Sequence, residues 1–330
     1  MNNKRVYGSV GVYAKNANWN ADFTGRPRTS NGKIFASDVS LKWACREHAE
    51  TQDSQDIFWK ESRDANGNSL MLKDKYEAIH GKIPKNESVN NIEKNLFSHL
   101  DLRWFGFTFA ANGAPSTNAT GAIQISNAEN VLSSTQIVKL TIGCPWADKT
   151  KEQKKEDKTK QKVEDEEDIE DIDDDLTGKS SSKADSTTLG TKYITDKALY
   201  AYDISINDNT YREFEKRLYE NKKTILTADD INNFKENMKC CVTTTNSASK
   251  KGCSNGYAIF VTLKENSKTY LSDVSQYIKF IETDDKIQMD LSDFTYFDKA
   301  DVESIEVYYR PTIIDIINVP QLATIALNTI

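Results

Sequence analysis

The chain has 330 residues, and 43 basic against 50 acidic side chains give it a formal net charge of −7. This length can bury a substantial core, and 13 Phe, 14 Tyr and 5 Trp residues exclude a disordered chain. The negative charge argues against a nucleic-acid binder, but residues 148–185 alone carry −6, whereas residues 1–147 carry +3. The net charge of the whole chain therefore does not exclude nucleic-acid binding by residues 1–147.

The terminal segments and the cysteines indicate the class of protein. The N-terminal MNNKRVYGSV lacks the apolar core of a signal peptide. The apolar stretch 312–330 is interrupted by polar residues, so it predicts a buried C-terminal segment rather than a membrane span. The 5 cysteines are odd in number and include no C-x-x-C pair, so they indicate neither a disulfide framework nor a zinc site. We expect a cytoplasmic protein with reduced cysteines, no cofactor, no metal and no membrane partner.

The N-terminal elements are predicted from periodicity and capping. Valines alternate with tyrosine and serine over 5–15, which predicts a strand. A polar loop follows over 16–35. Ser37 or Asp38 then caps a helix that runs to about Ala49.

The rest of the chain reads as an α+β sheet with helices on one face. Residues 51–98 are predicted to be an insertion with short helices around 57–59 and 90–99. The low-complexity acidic block 148–187 is predicted to be disordered. Strands are predicted at 102–110, 120–126, 136–143, 191–206, 256–263, 277–281 and 304–309, and helices at 210–219 and 228–240, the last capped by Thr227 and Asp230.

One stretch has the composition of an RNA-binding surface. Five basic residues lie in the loop and on the next helix, and aromatic residues are interleaved with the loop: Arg26, Arg28, Lys33, Lys42 and Arg46, with Trp19, Phe23 and Phe35. Positive charge suits phosphates and aromatic planes suit bases. A solvated loop beside a core helix explains the same composition, and residues alone do not decide between the two.

Three further segments are candidates for nucleic-acid contact. In DLRWFGFTF (101–109), a strand would place Arg103 on the aromatic face of an RNA-recognition sheet, although a core strand with one paired Arg is favoured by composition. Residues 136–206 read as a projecting hairpin, with Lys192 and Tyr193 on its returning arm. The loop 243–254 contains Lys250, and phosphate contact and a plain surface loop fit it equally.

Enzyme signatures are absent from the sequence. It contains no phosphate-binding loop, H-E-x-x-H or G-x-S-x-G motif, and its three histidines have no metal-ligand spacing. Asp22 is the one acid in the loop beside the basic cluster. The residues therefore offer no visible catalytic constellation.

Taken in order, four stretches resemble the CRISPR-associated backbone subunit of the Cascade effector complex, specifically the type I-B (Csh) family. They are 5–18 followed by Arg26-Pro27-Arg28; Asp38-Val39-Ser40-Leu41-Lys42 with Arg46; Asp101-Leu102-Arg103-Trp104-Phe105-Gly106 followed by Thr120-Gly121-Ala122-Ile123-Gln124; and Leu189-Gly190-Thr191-Lys192-Tyr193 followed by Ala198-Leu199-Tyr200. The spacing holds over about 4–263. Trp43 stands where the family often has Arg, and Ala122 where it often has Pro.

The resemblance implies a modified RNA-recognition (ferredoxin-like) fold with large insertions. It implies one domain over 1–330, an insertion at about 51–98, and a protruding thumb hairpin at about 136–200 whose disordered acidic tip is 148–187. Such subunits are non-catalytic: copies stack along one guide RNA (crRNA), which pairs with target DNA, and they contact other Cascade subunits.

The resemblance also implies which residues contact RNA. It places Arg26, Arg28, Lys42, Arg46 and Arg103 on the phosphates and assigns Lys192 and Tyr193 to the thumb. The composition of their loops adds Lys33 and Lys250 to the predicted RNA contacts. Two alternatives stay open: a backbone subunit of the type III kind that cuts target RNA with a loop aspartate, here Asp22, and an unrelated RNA-binding scaffold.

Overall fold

A computed structural model of the chain describes residues 4–144 and 188–330. The predicted disordered tip, 148–187, lies outside the described residues. Within them, no helix combines the length and the apolar character that crossing a membrane requires.

The described residues alternate between strands and short helices. The α-helices are α1 (Asp38–Thr51), α2 (Leu72–His80), α3 (Val89–Leu96), α4 (Leu100–Phe105), α5 (Arg212–Tyr219) and α6 (Ala228–Cys240). The first strands are β1 (Arg5–Ala17), β2 (Thr29–Ser30), β3 (Lys33–Ala36), β4 (Gly106–Phe109), β5 (Thr117–Thr120), β6 (Ile123–Ile125), β7 (Ala128–Asn130) and β8 (Ile137–Cys144). The remaining strands are β9 (Thr188–Asn207), β10 (Cys253–Leu263), β11 (Lys279–Glu282), β12 (Ile287–Asp290), β13 (Val302–Tyr309), β14 (Ile314–Ile317) and β15 (Ile325–Thr329).

One large sheet organises the fold, with strand order β15-β13-β10-β1-β9-β7-β3-β2. The long strand β9 also pairs with β6 and β8. Two small sheets, β11-β12-β14 and β4-β5, lie beside it. The predicted α+β class is therefore confirmed.

Both faces of the large sheet are covered, because side chains of a strand alternate between faces. Along β10, Ala258 and Phe260 belong to a core that also contains buried residues of α1 and α6. Tyr257 and Ile259 belong to a second core with residues of β12 and β14. A Cβ on Gly11 would lie 2.1 Å from the Tyr257 ring, so glycine is required where this ring crosses β1.

Several predicted elements are confirmed. The helix predicted at 38–49 is α1, and the helix predicted at 228–240 is α6, which begins with the expected capping box of Thr227 and Asp230. The hairpin arms are β8 and β9, antiparallel from Ile137 opposite Thr195 to Cys144 opposite Thr188.

The prediction of one strand over 102–110 is wrong. Leu100–Phe105 forms α4, and Gly106, with φ of 73°, ends this helix and begins the short strand β4. A Cβ on Gly106 would lie 2.1 Å from the carbonyl oxygen of Ala119, so the turn depends on glycine. Arg103 therefore lies on a helix and does not share a strand face with Phe107.

Three further expectations are corrected. Residues 57–59 are not helical, because the backbone N–H groups of Phe58 and Trp59 donate to the Asp101 carboxylate at 2.8 and 2.9 Å. The strand predicted at 120–126 is split into β5 and β6. The segment 312–330 is mostly exposed or half-buried, and Ile314 is its one fully buried residue, because β14 and β15 lie at sheet edges.

Candidate nucleic-acid interface

Three segments meet where β1 ends, and Asn18 joins them. The backbone N–H of Asn18 donates to the Ser249 carbonyl at 2.9 Å. Its side-chain amide donates to the carbonyls of Gly25 at 3.0 Å and Tyr193 at 3.2 Å. We call these segments the basic loop (residues 20–36), the thumb base (192–195) and the lysine loop (243–252). The register of the sheet thus brings together side chains far apart in sequence.

The turn at 22–26 gives the basic loop a defined shape. One carboxylate oxygen of Asp22 accepts from the Thr24 backbone N–H and hydroxyl, both at 2.7 Å, and from the Arg26 N–H at 3.0 Å. The Asp22 N–H in turn donates to the Arg26 carbonyl at 2.7 Å. The Thr24 hydroxyl, with the amides of Arg26 and Thr24, holds the pKa of Asp22 below its usual value. Asp22 therefore acts as an ionised acceptor that closes the turn.

Arg26 connects the basic loop to the thumb base. Its guanidinium carbon lies 4.7 Å from the centre of the Tyr193 ring, and Nη2 donates to the Tyr193 hydroxyl at 3.0 Å. Arg28 donates from Nε to the Ala21 carbonyl at 3.2 Å. Both arginines are exposed, so their charge reaches solvent beside the thumb base.

Lysines of the thumb base and the lysine loop complete this region. Lys192 Nζ donates to the Ala248 carbonyl at 3.1 Å. Lys250 Nζ donates to the Trp19 carbonyl at 2.6 Å and lies 4.6 Å from the Trp19 ring and 5.5 Å from the Trp43 ring. Burial lowers the pKa of Lys250. Its ammonium therefore fixes the lysine loop against Trp19.

The aromatic residues of this stretch differ in accessibility. Trp19 is fully buried and donates from Nε1 to the Tyr202 hydroxyl at 2.8 Å, so the expectation that it offers a plane to bases is wrong. Phe23 is 98% exposed and Trp43 is 42% exposed. Sequence reasoning did not assign Trp43 to the site, although its place at a position where the family often has Arg was a usable signal.

The helix residues Lys42 and Arg46 are held by acids. Lys42 Nζ contacts Asp38 at 2.7 Å, and Arg46 Nε contacts Asp101 at 3.1 Å. Both cations also lie against the Phe105 ring, at 5.6 and 5.0 Å. These partners leave less of their charge for phosphates than at Arg28.

Arg103 is anchored to the start of α6. It donates to the two carboxylate oxygens of Asp230 at 3.0 and 2.8 Å, and to the carbonyls of Phe97 and Ser98 at 3.2 and 2.7 Å. Burial alone would raise the pKa of Asp230, but hydrogen bonds from Arg103 and Thr227 outweigh it and lower that pKa. Most donors of Arg103 are therefore already used within the protein.

Lys33 begins β3, which lies next to the edge strand β2 of the large sheet. It pairs with Glu129 at 2.8 Å, and both side chains are largely exposed. A surface pair of this kind contributes little to stability, so Lys33 can exchange its partner for another anion.

The described residues do not form an evident metal centre. Over 4–144 and 188–330, no group of three or more His, Cys, Asp or Glu side chains is placed to hold a metal ion. His48 is buried, with Nδ1 2.8 Å from the Thr244 hydroxyl and Nε2 3.3 Å from the Cys240 sulfur. The exposed charge and aromatic surface at the end of β1 suit binding of a polyanion.

Comparisons with known proteins concern almost the whole chain. A family model described as "CRISPR-associated protein Cas7" matches residues 4–298. A chain of a solved "CRISPR RNA-guided surveillance complex, pre-nicking" is similar at 12% identity and a TM-score of 0.48, covering 81% of this chain and 80% of that chain. A chain of a "CRISPR RNA-guided surveillance complex" is similar at 14% identity and a TM-score of 0.44, covering 97% and 94%. No curated protein matches the chain.

Proposed function

Because this chain belongs to the CRISPR-associated Cas7 family, we propose that it is a non-catalytic backbone subunit that binds guide RNA in a type I Cascade surveillance complex. The observation that carries the proposal is the contact of Arg26 with Tyr193, which sets exposed positive charge against the base of the thumb hairpin. Phosphate contacts from such groups would grip the RNA backbone, leaving the bases to read sequence by pairing.

The finer parts of the proposal concern the assembly and the fold. We propose that copies of the chain stack along one guide, that target DNA pairs with that guide, and that other Cascade subunits flank the stack. Type I-B membership and a modified RNA-recognition fold belong to the proposal too. So do a single domain with an insertion at about 51–98 and a thumb at about 136–200.

The family membership favours this function over an unrelated RNA-binding scaffold. Cleavage of target RNA by Asp22 is less favoured, because the carboxylate oxygen that closes the turn already accepts three hydrogen bonds. The arginine contacts of the thumb base support a binding role.

Salt-dependent RNA binding tests the proposal with a matched pair of variants. Lys33 and Lys264 are exposed lysines, each paired with one acid, with side chains 68% and 61% exposed. Lys264 follows β10, whose Thr262 pairs with Val6 near the start of β1. Lys264 therefore lies near the start of β1, whereas the basic loop follows the end of β1. Thirteen strand residues span roughly 40 Å.

We expect the full chain to bind unstructured guide-length RNA in filter binding. Lys33→Ala should weaken this binding for every sequence and reduce the salt slope by about 0.7 to 1 unit. Lys264→Ala should leave both unchanged. Absence of RNA binding by the wild-type chain, or equal effects of the two variants, would contradict the proposal.

A further inference from the structure

Phe23 is an aromatic side chain presented to solvent by an ordered turn. It is 98% exposed, and it lies between Asp22 and Thr24, whose mutual hydrogen bonds measure 2.7 Å. Gly25, with φ of 81°, continues the turn, and Ala21 pairs with Pro27 in an antiparallel bridge that closes it. Phe23 is therefore held away from the core by the backbone that carries it.

An isolated apolar side chain on a surface is ordinary, so exposure alone assigns no role to Phe23. Its surroundings distinguish it. Arg26 and Arg28 follow within five residues, and Arg26 is fixed over Tyr193 of the thumb base. The neighbouring acid, Asp22, has a carboxylate oxygen that accepts the hydrogen bonds of the turn. A planar apolar ring is thus followed, within five residues of the same ordered loop, by two exposed guanidinium groups.

This combination matches a single-stranded nucleic acid. Guanidinium groups take the phosphates, and an aromatic ring takes the face of an unpaired base. The positive charge of Arg26 and Arg28, which follow Phe23 in the same loop, suits a polyanion better than it suits an apolar pocket of a protein partner. We propose that Phe23 stacks on a nucleobase of the bound RNA and that Asp22 shapes the turn that presents it. This inference rests on the proposed RNA-binding function.

A second exposed aromatic residue offers a matched control. Tyr270 is 78% exposed, and the Arg5 guanidinium carbon lies 4.1 Å from the centre of its ring. Arg5 begins β1, whereas the turn that carries Phe23 follows the other end of that strand. Phe23 and Tyr270 are therefore both exposed aromatic side chains, but they lie near opposite ends of β1.

The experiment measures binding of the full chain to single-stranded RNA that contains 2-aminopurine. Phe23→Ala should weaken binding about tenfold, which is the typical contribution of one stacked base. It should also reduce the quenching of 2-aminopurine, while the salt slope stays unchanged because no charge is lost. Phe23→Trp should retain affinity and quenching, and Tyr270→Ala should behave as wild type.

The outcomes separate this inference from the proposed function. If the wild-type chain does not bind RNA, both the proposed function and the stacking role of Phe23 are wrong. RNA binding that is unaffected by Phe23→Ala would overturn the stacking role alone. If Phe23→Ala keeps RNA affinity but weakens self-association of the chain without RNA, the ring docks on a neighbouring copy instead, and the inference is wrong.

Discussion

Arg26 and Tyr193, 167 residues apart in sequence, form a cation–π contact with 4.7 Å between the guanidinium carbon and the ring centre. The hydroxyl of Tyr193 also accepts a hydrogen bond from Arg26 at 3.0 Å. This contact joins the basic loop and the thumb base directly, in addition to their bridge through the Asn18 side chain. In the proposed function, this contact would hold the basic loop in position beside RNA bound along the hairpin.

A double-mutant cycle should detect this coupling in RNA binding. We expect Arg26→Ala to weaken binding and reduce the salt slope, because a phosphate contact is lost. Tyr193→Ala should weaken binding with a smaller change in slope, because Arg26 keeps its charge but loses its fixed position. The two changes together should cost less than their sum, with a coupling of about 0.5 to 1 kcal/mol.

The Arg5–Tyr270 pair provides the control for that cycle. It has a similar geometry, at 4.1 Å, near the other end of β1. Arg5→Ala and Tyr270→Ala should leave RNA affinity unchanged. Additive effects of Arg26→Ala and Tyr193→Ala would show that their contact does not organise the site.

Arg28 and Lys42 should differ in their contribution to RNA binding. Arg28→Ala should reduce the salt slope by about one unit, because its charge is exposed. Lys42→Ala should reduce it less, because Asp38 already neutralises the ammonium at 2.7 Å. Filter binding over a salt series measures both slopes. A larger loss from Lys42→Ala would show that RNA displaces Asp38.

Local sequence patterns predicted the loop and the hairpin, but not the contacts between them. The composition of 24–33 indicated a basic loop, and alternation indicated the strand that carries Tyr193. Their contact depends on the pairing of Ala17 with Thr195 between β1 and β9, which is set by the whole sheet. The sequence also does not distinguish exposed Phe23 from buried Trp19. Trp19 packs in the core and donates to the hydroxyl of Tyr202, a residue far away in the chain that no local pattern identifies.

The prediction of a strand over 102–110 is wrong for two reasons, one in the local backbone and one in a contact distant in sequence. Alternating aromatic residues suggested period two, but Gly106 at positive φ ends a helix there. Arg103 then finds its partner 127 residues away, at Asp230. Neither the backbone turn nor that ion pair follows from the periodicity of the segment.

Deleting the acidic block should leave RNA binding intact or strengthen it. Residues 149–185 carry a large share of the negative charge, which repels phosphates. Because Cys144 lies opposite Thr188, the remaining residues 145–148 and 186–187 can connect the two arms of the hairpin. Affinity measured at low salt is the readout. A loss of assembly with unchanged RNA affinity would mean that the block contacts another subunit.

Variants of Asp22 should separate a structural role from a catalytic one. In Asp22→Asn, the amide oxygen can still accept from Thr24 and Arg26, so RNA affinity should be unchanged. Asp22→Ala should open the turn and weaken binding about as much as Phe23→Ala. Complementary RNA incubated with the assembled complex and magnesium should stay intact. Cleavage that Asp22→Asn abolishes would contradict the non-catalytic function.

Arg103 should contribute to stability more than any exposed arginine of the basic loop. Arg103→Ala leaves the largely buried Asp230 carboxylate without its cation, and removal of one partner of such a pair costs about 3 kcal/mol. Urea unfolding at pH 7 should show this loss. Arg28→Ala, at an exposed position, should leave stability within about 0.5 kcal/mol of wild type.

The pH dependence identifies the origin of that loss. The pKa of Asp230 is lower in the folded chain than its usual value, which is about 3.9 in an unfolded chain. Its stabilisation is therefore fully present above about pH 4 and disappears as the pH falls through the lower folded value. The difference in unfolding free energy between wild type and Arg103→Ala should shrink over that range. If Arg103→Ala instead keeps full stability and loses as much RNA affinity as Arg28→Ala, Arg103 contacts phosphate, because a residue committed to Asp230 could not be removed without destabilising the fold.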